Sequence, residues 1–201
     1  TVYRHHKKAI KRGIGKRAPD YVRMYLNILE NHLSKFSKSI DKSTSNEGRV
    51  LIPRSLTFLN EKGVFYCSIY HNLGFEVCVS PESNEEISNL GKESSHSEFC
   101  YPLILAHGHS VYLKQKMKKH DKLLLVDAIG SEYKKYKFCP YVASAGHVIM
   151  GNLNLKKEEV LIPVIYFNDK HYPIHKSLYN DLQRVFGDRF SLSDVLNAVK
   201  K

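Results

Sequence analysis

Cys100 and Cys139 are the residues of this 201-residue chain best suited to chemistry. The first stands in Phe99-Cys100-Tyr101-Pro102, the second in Phe138-Cys139-Pro140-Tyr141. Each thiol lies beside an aromatic residue and close to a proline, where a loop meets a regular element. Thiolates placed in this way ligate iron–sulfur clusters, usually several to a cluster. Neither belongs to a CxxC pair, so a second reading stays open: two partly buried thiols acting as small apolar groups. Cys67, on a helix face, and Cys78, within a strand, read as core residues.

Three other side chains, Arg54, His107 and His147, are candidates for a bound cofactor. His107 and His109 lie two apart on a predicted helix and so face different ways, which argues against one metal between them. A structural zinc site would want four well-spaced ligands, and the pattern offers none. Gly108 between them suits close packing of that helix. His147 follows Gly146 at a predicted strand-to-helix junction, where it can meet an anion or substrate, or lie on the surface. Arg54 follows Pro53 at a strand end. It can hold a carboxylate or phosphate bidentately, or pair with an acidic neighbour. No GxGxxG, GxxxxGK[ST] or GxSxG pattern is present, so the chain carries no dinucleotide, P-loop or serine-hydrolase signature. Whether it is an enzyme stays open.

The elements that must position these groups follow from hydrophobic periodicity. Val22, Leu26, Leu29, Leu33, Phe36 and Ile40 recur at helical steps after Pro19, predicting an amphipathic helix. A Ser/Thr/Asn-rich stretch from Asp41 to Gly48 reads as a linker, dividing residues 1–45 from 49–201. Short apolar runs at 49–53, 75–79, 122–126 and 160–167 predict strands, with 141–144 as a further candidate. Between them, 60–73, 84–90, 101–117 and 146–152 predict helices, and 175–186 and 192–199 predict closing helices. Gly91 is expected to end the helix at 84–90. Strands alternating with helices imply an α/β fold, a mostly parallel sheet with helices on both faces. Functional groups then gather beyond the strands' carboxyl ends.

The chain carries a formal net charge of +11. Basic clusters occur at 4–23, at Lys114 to Lys122 and at Lys134 to Lys137. Such surfaces attract polyanions or acidic proteins; with no known nucleic-acid motif, nucleic acid is the lesser expectation. No apolar run is long enough to span a membrane, and no secretory pattern opens the chain. Four cysteines without such a signal suggest reduced thiols in a cytoplasm. The absence of an initiator Met suggests a piece of a longer protein or a processed product.

In order, Leu51-Ile52-Pro53-Arg54-Ser55-Leu56, Leu73-Gly74-Phe75-Glu76-Val77, Phe99-Cys100-Tyr101-Pro102, His107-Gly108-His109, Cys139-Pro140 and Ile162-Pro163-Val164-Ile165-Tyr166-Phe167 resemble a family. It is a domain of unknown function in large bacterial proteins described as 2-hydroxyglutaryl-CoA dehydratase activators, or CoA-substrate-specific enzyme activases. The resemblance covers roughly residues 49–201. It implies a Rossmann-like fold akin to 2-hydroxyacyl-CoA dehydratase subunits, with an N-terminal helix added here. It further implies a [4Fe–4S] cluster held by cysteines, matched here by Cys100 and Cys139. The implied partners are an actin-like activase that delivers electrons and an acyl-CoA enzyme. Family members typically carry Pro-Cys after the third strand, where this chain has Asp127-Ala128, so one implied ligand is missing. The ATP-binding part is absent from this chain. The expected function is electron transfer or docking beside such partners. The alternatives are a cluster-free structural or regulatory module, and a polyanion binder acting through the basic N-terminal arm.

Overall fold

Side-chain alternation along short apolar strands organises the centre of the molecule. The computed structural model describes residues 20–43, 48–59, 61–130, 137–167 and 171–200. Among them, β1 (Lys38–Ser39), β2 (Val50–Ile52), β3 (Val77–Val79), β4 (Lys122–Leu124) and β6 (Val160–Leu161) form a five-stranded parallel sheet in the order β1-β3-β2-β4-β6. Just beyond β4 and β6, the chain continues as β5 (Asp127–Gly130) and β7 (Val164–Tyr166), which form a separate parallel pair.

The helices are α1 (Tyr21–Leu33), α2 (Glu61–Asn72), α3 (Glu85–Ser94), α4 (Tyr101–Gln115), α5 (Pro140–Ala143), α6 (Ala145–Asn152), α7 (Ile174–Phe186) and α8 (Leu192–Lys200). Successive strand residues point to opposite faces. Val50, Ile52, Val77, Val79 and Leu124 therefore pack with Leu29 and Leu33 of α1, Tyr66 and Tyr70 of α2, Leu178 of α7 and Val195 of α8. Leu51, Cys78 and Leu123 pack on the other side with Ile87 of α3, Leu103 and Leu113 of α4 and Ile149 of α6. The expected α/β class with helices on both faces is what the chain adopts.

β3 lies on one side of β2 and β4 on the other. That reversal makes a crevice at the carboxyl ends of β2 and β4, where ligands of such sheets usually sit. Here the crevice is nearly filled: Pro53, Ser55, Leu56, Leu125 and Gly146 line a space of only about 40 Å3. At the opposite end, a buried ion pair clamps the starts of β2 and β4. Arg49 Nη2 donates to Asp121 Oδ2 at 2.6 Å, and the Arg49 and Lys118 backbone N–H groups donate to the same carboxylate. Burial opposes ionisation of Asp121, but the hydrogen bonds from Arg49 and from the Lys118 N–H, with the Arg49 charge, together outweigh it and hold the carboxyl below its ordinary range.

Several local expectations differ from the structure for identifiable reasons. The expected helix to Ile40 ends at Leu33, because Lys38–Ser39 instead pair with Cys78 and Val79 at the sheet edge. Residues 141–144 are not a strand; Pro140 sits in the first turn of short α5, where its missing N–H costs nothing. The expected long strand at 160–167 is broken between Leu161 and Val164, where Pro163 offers no donor to a ladder. Gly91 does not end α3, which runs on to Ser94. A Cβ at Gly91 would stand 2.2 Å from the Ile104 carbonyl oxygen, and one at Gly108 would stand 1.9 Å from that of Ile87. Both glycines are contact points between α3 and α4, as the close-packing reading of Gly108 anticipated. The basic arm at 1–18 lies outside the described residues.

Candidate functional site

Cys100 and Cys139 are both exposed, and both stand as N-cap residues in extended backbone conformation. The reason is local: each is followed within two residues by a proline, which fits the first helical turn and not the turn before it. Their flanking aromatics join the two segments. The Phe99 ring meets Tyr141 edge-on at 5.5 Å and lies 5.5 Å from the His107 ring. Two thiols far apart in sequence are thus carried on neighbouring loops. Cys67 and Cys78 are buried, and burial pushes the Cys67 thiol up to about 12.

His107 lies under this junction, fully buried. Its Nδ1 bonds the Leu103 carbonyl oxygen at 2.9 Å and its Nε2 faces Asn152 Nδ2 at 3.1 Å. Both ring nitrogens are engaged within the protein, and burial lowers its pKa. His109 turns the other way, as its spacing required. Its Nδ1 and Nε2 each lie 2.9 Å from a serine hydroxyl, Ser80 Oγ and Ser83 Oγ. Burial and then the charge of Arg54 push it down to about 4, so it is neutral at physiological pH.

Arg54 ends β2. Its backbone N–H donates to Ser80 Oγ, and its guanidinium pairs with Glu30 of α1 and lies 3.8 Å from Glu82. The guanidinium thus makes the acidic-neighbour pairing that its position allowed. His147 opens α6 half-exposed, with Nδ1 2.5 Å from Asp127 Oδ2. The other Asp127 oxygen accepts the Gly146 N–H at 2.7 Å. Asp127 is buried, so a hidden carboxylate orients an imidazole whose side chain reaches solvent. Ala128 faces away from this pair and is wholly enclosed in the α2–α7 core.

The candidate residues therefore fall into separate groups. Cys100, Cys139 and His107 share one junction; Arg54 belongs with Glu30, Ser80 and His109; His147 belongs with Asp127. Sequence reading singled out His147 but not its carboxylate partner. An Asp at a strand end followed by Gly-His at the next helix start was the available signal. It also missed the Ser80–His109–Ser83 chain, whose members no motif joins.

Among the described residues no three His, Cys, Asp or Glu side chains group as a metal site. The described donor set does not fit a [4Fe–4S] cluster held by this chain alone. No helix among them is long and apolar enough to cross a membrane.

Compared with known protein families, residues 49–201 match the CoA enzyme activase uncharacterised domain. No curated protein and no solved structure matches the chain.

Proposed function

The chain belongs to the CoA enzyme activase uncharacterised domain family, and from that premise we propose that it is a docking module for an activase or CoA-enzyme partner. The contact point is the Cys100–Cys139 junction. The observation that carries this reading is the presentation of two exposed thiols by adjoining loops on a rigid α/β scaffold. Both lie in the matched segment. A [4Fe–4S] cluster belongs to the reading only as a shared one: this chain offers Cys100 and Cys139, and the partner supplies the remaining ligands. When bound, such a cluster would supply one-electron transfer. What the chain itself does is fix the two thiols in orientation through the N-terminal prolines and the Phe99–Tyr141 contact. The four free cysteines support a reducing compartment, and so a cytoplasmic setting.

Anaerobic loading with iron and sulfide tests the shared-cluster reading. The wild-type chain should retain both with a visible absorption band, and retention should drive association of two chains, since one chain lacks a full ligand set. Cys100→Ser and Cys139→Ser should each abolish retention, whereas Cys67→Ser should not. A colourless wild-type protein would show that two copies of this chain do not complete the cluster between them, and unchanged iron in Cys100→Ser would exclude Cys100 as a ligand. The enclosed Ala128 at the expected third cysteine position favours a second reading, a cluster-free module.

A further inference from the structure

A wide concavity lies away from the thiols. It is a cavity of about 590 Å3 between β7 and α7. Its size falls within the range of small-molecule sites. Ile162 and Val164 form part of an apolar floor. Tyr166 and Tyr172 stack beside it, with ring centroids 4.9 Å apart and planes 27° apart. Tyr172 is 59% exposed, so one ring face is left over for a flat partner. Such an aromatic face accepts a heterocyclic base by stacking, whatever the base.

Electrostatics select the rest of the ligand. Asp181 is the acidic residue of the lining, and Arg184 neutralises it through Nε at 3.2 Å and Nη2 at 2.6 Å. Arg184 also donates to the carbonyl oxygens of Lys157 and Val160, so its geometry is fixed by the protein itself. Lys176 has no acidic partner among the described residues and is exposed at the cavity wall. It sits in the first turn of α7, which carries no acidic side chain and no side-chain cap. A cavity that pairs a stacking face with an ammonium lacking an acidic partner among the described residues suits an anion bearing a planar ring. Asn180, on the same wall, can hydrogen-bond a sugar hydroxyl.

We propose that this cavity binds a nucleotide, with the base stacked on Tyr172 and a phosphate on Lys176. The ligand is a free mononucleotide or the nucleotide end of a coenzyme; both share that chemistry. The site uses none of the thiol residues and does not depend on the docking reading.

Titration of the whole chain with AMP, coenzyme A and inorganic phosphate, followed by calorimetry and tyrosine fluorescence, tests it. AMP or coenzyme A should bind saturably and quench tyrosine emission. Loss of one stacking or one phosphate contact, in Tyr172→Ala or Lys176→Gln, should weaken binding about tenfold. Both side chains are exposed, so neither variant endangers the fold. Phosphate alone should bind more weakly, without responding to Tyr172→Ala. Equal affinity for AMP and coenzyme A points to the nucleotide end as sufficient; binding of coenzyme A alone identifies the coenzyme as the source. Cys100→Ser should leave all of this unchanged. No saturable binding of either nucleotide, or binding indifferent to both substitutions, would overturn the proposal.

Discussion

Asp127 spends both carboxylate oxygens inside the protein, one on the Gly146 N–H and one on His147. It thereby fixes the start of α6 and the tilt of the imidazole together. Asp127→Asn keeps the shape but loses the charge-assisted bonds, and should cost about 1–3 kcal/mol in denaturant unfolding. His109 makes a pH-dependent contribution of known sign. Its folded pKa of about 4 lies below the ordinary histidine value of 6.5. The unfolded chain therefore binds the proton more readily, and stability falls as pH drops from about 6.5 towards 4. Replacing His109 with Gln should flatten that part of the stability–pH curve. An unchanged slope would mean the imidazole is not held neutral by burial. Neither histidine's partners were legible from spacing, because Ser80, Ser83 and Asp127 come from other strand ends. What spacing did show was that His107 and His109 would diverge.

At the scale of elements, α3 and α4 meet backbone to backbone. Gly108→Ala would drive a Cβ to 1.9 Å from the Ile87 carbonyl oxygen, which is backbone and cannot step aside. The helix pair should separate, at a cost of about 3 kcal/mol or more, read as a lowered denaturant midpoint. Helix α1 behaves differently along its length. Leu29 and Leu33 are buried in the core, while Val22 and Ile28 are 70% and 56% exposed. Leu33→Ala should therefore destabilise by about 2–5 kcal/mol. Val22→Ala should stay within about 0.5 kcal/mol, a surface change with no partner to lose among the described residues. The apolar runs of β2, β3 and β4 were readable because strands buried on both faces are apolar throughout. The edge strand β1 was not. Lys38 and Ser39 have no strand character of their own, and pairing with β3 alone makes them one.

For the molecule as a whole, the Arg49–Asp121 pair and the candidate site occupy opposite ends of the sheet. The Asp121 carboxyl is held below its ordinary range. Its contribution is thus present above the unfolded value and lost as pH falls through the folded one. Asp121→Asn should remove about 3–5 kcal/mol at neutral pH, by leaving the Arg49 guanidinium buried without its counter-charge. The α/β class and the thiols' place where a loop meets a regular element were legible because prolines and apolar runs are local signals, although the element after Cys139 is a helix and not the expected strand. The contact of Phe99 with Tyr141, which brings the thiol loops together, is tertiary and carries no local signal. That juxtaposition is the centre of the account, and a short bis-maleimide applied to the folded chain measures it most directly. Mass spectrometry of the digest should find one intramolecular bridge joining the Cys100 and Cys139 peptides, with Cys67 and Cys78 unmodified until the chain is unfolded. Separate single adducts on Cys100 and Cys139, with no bridge between them, would contradict it.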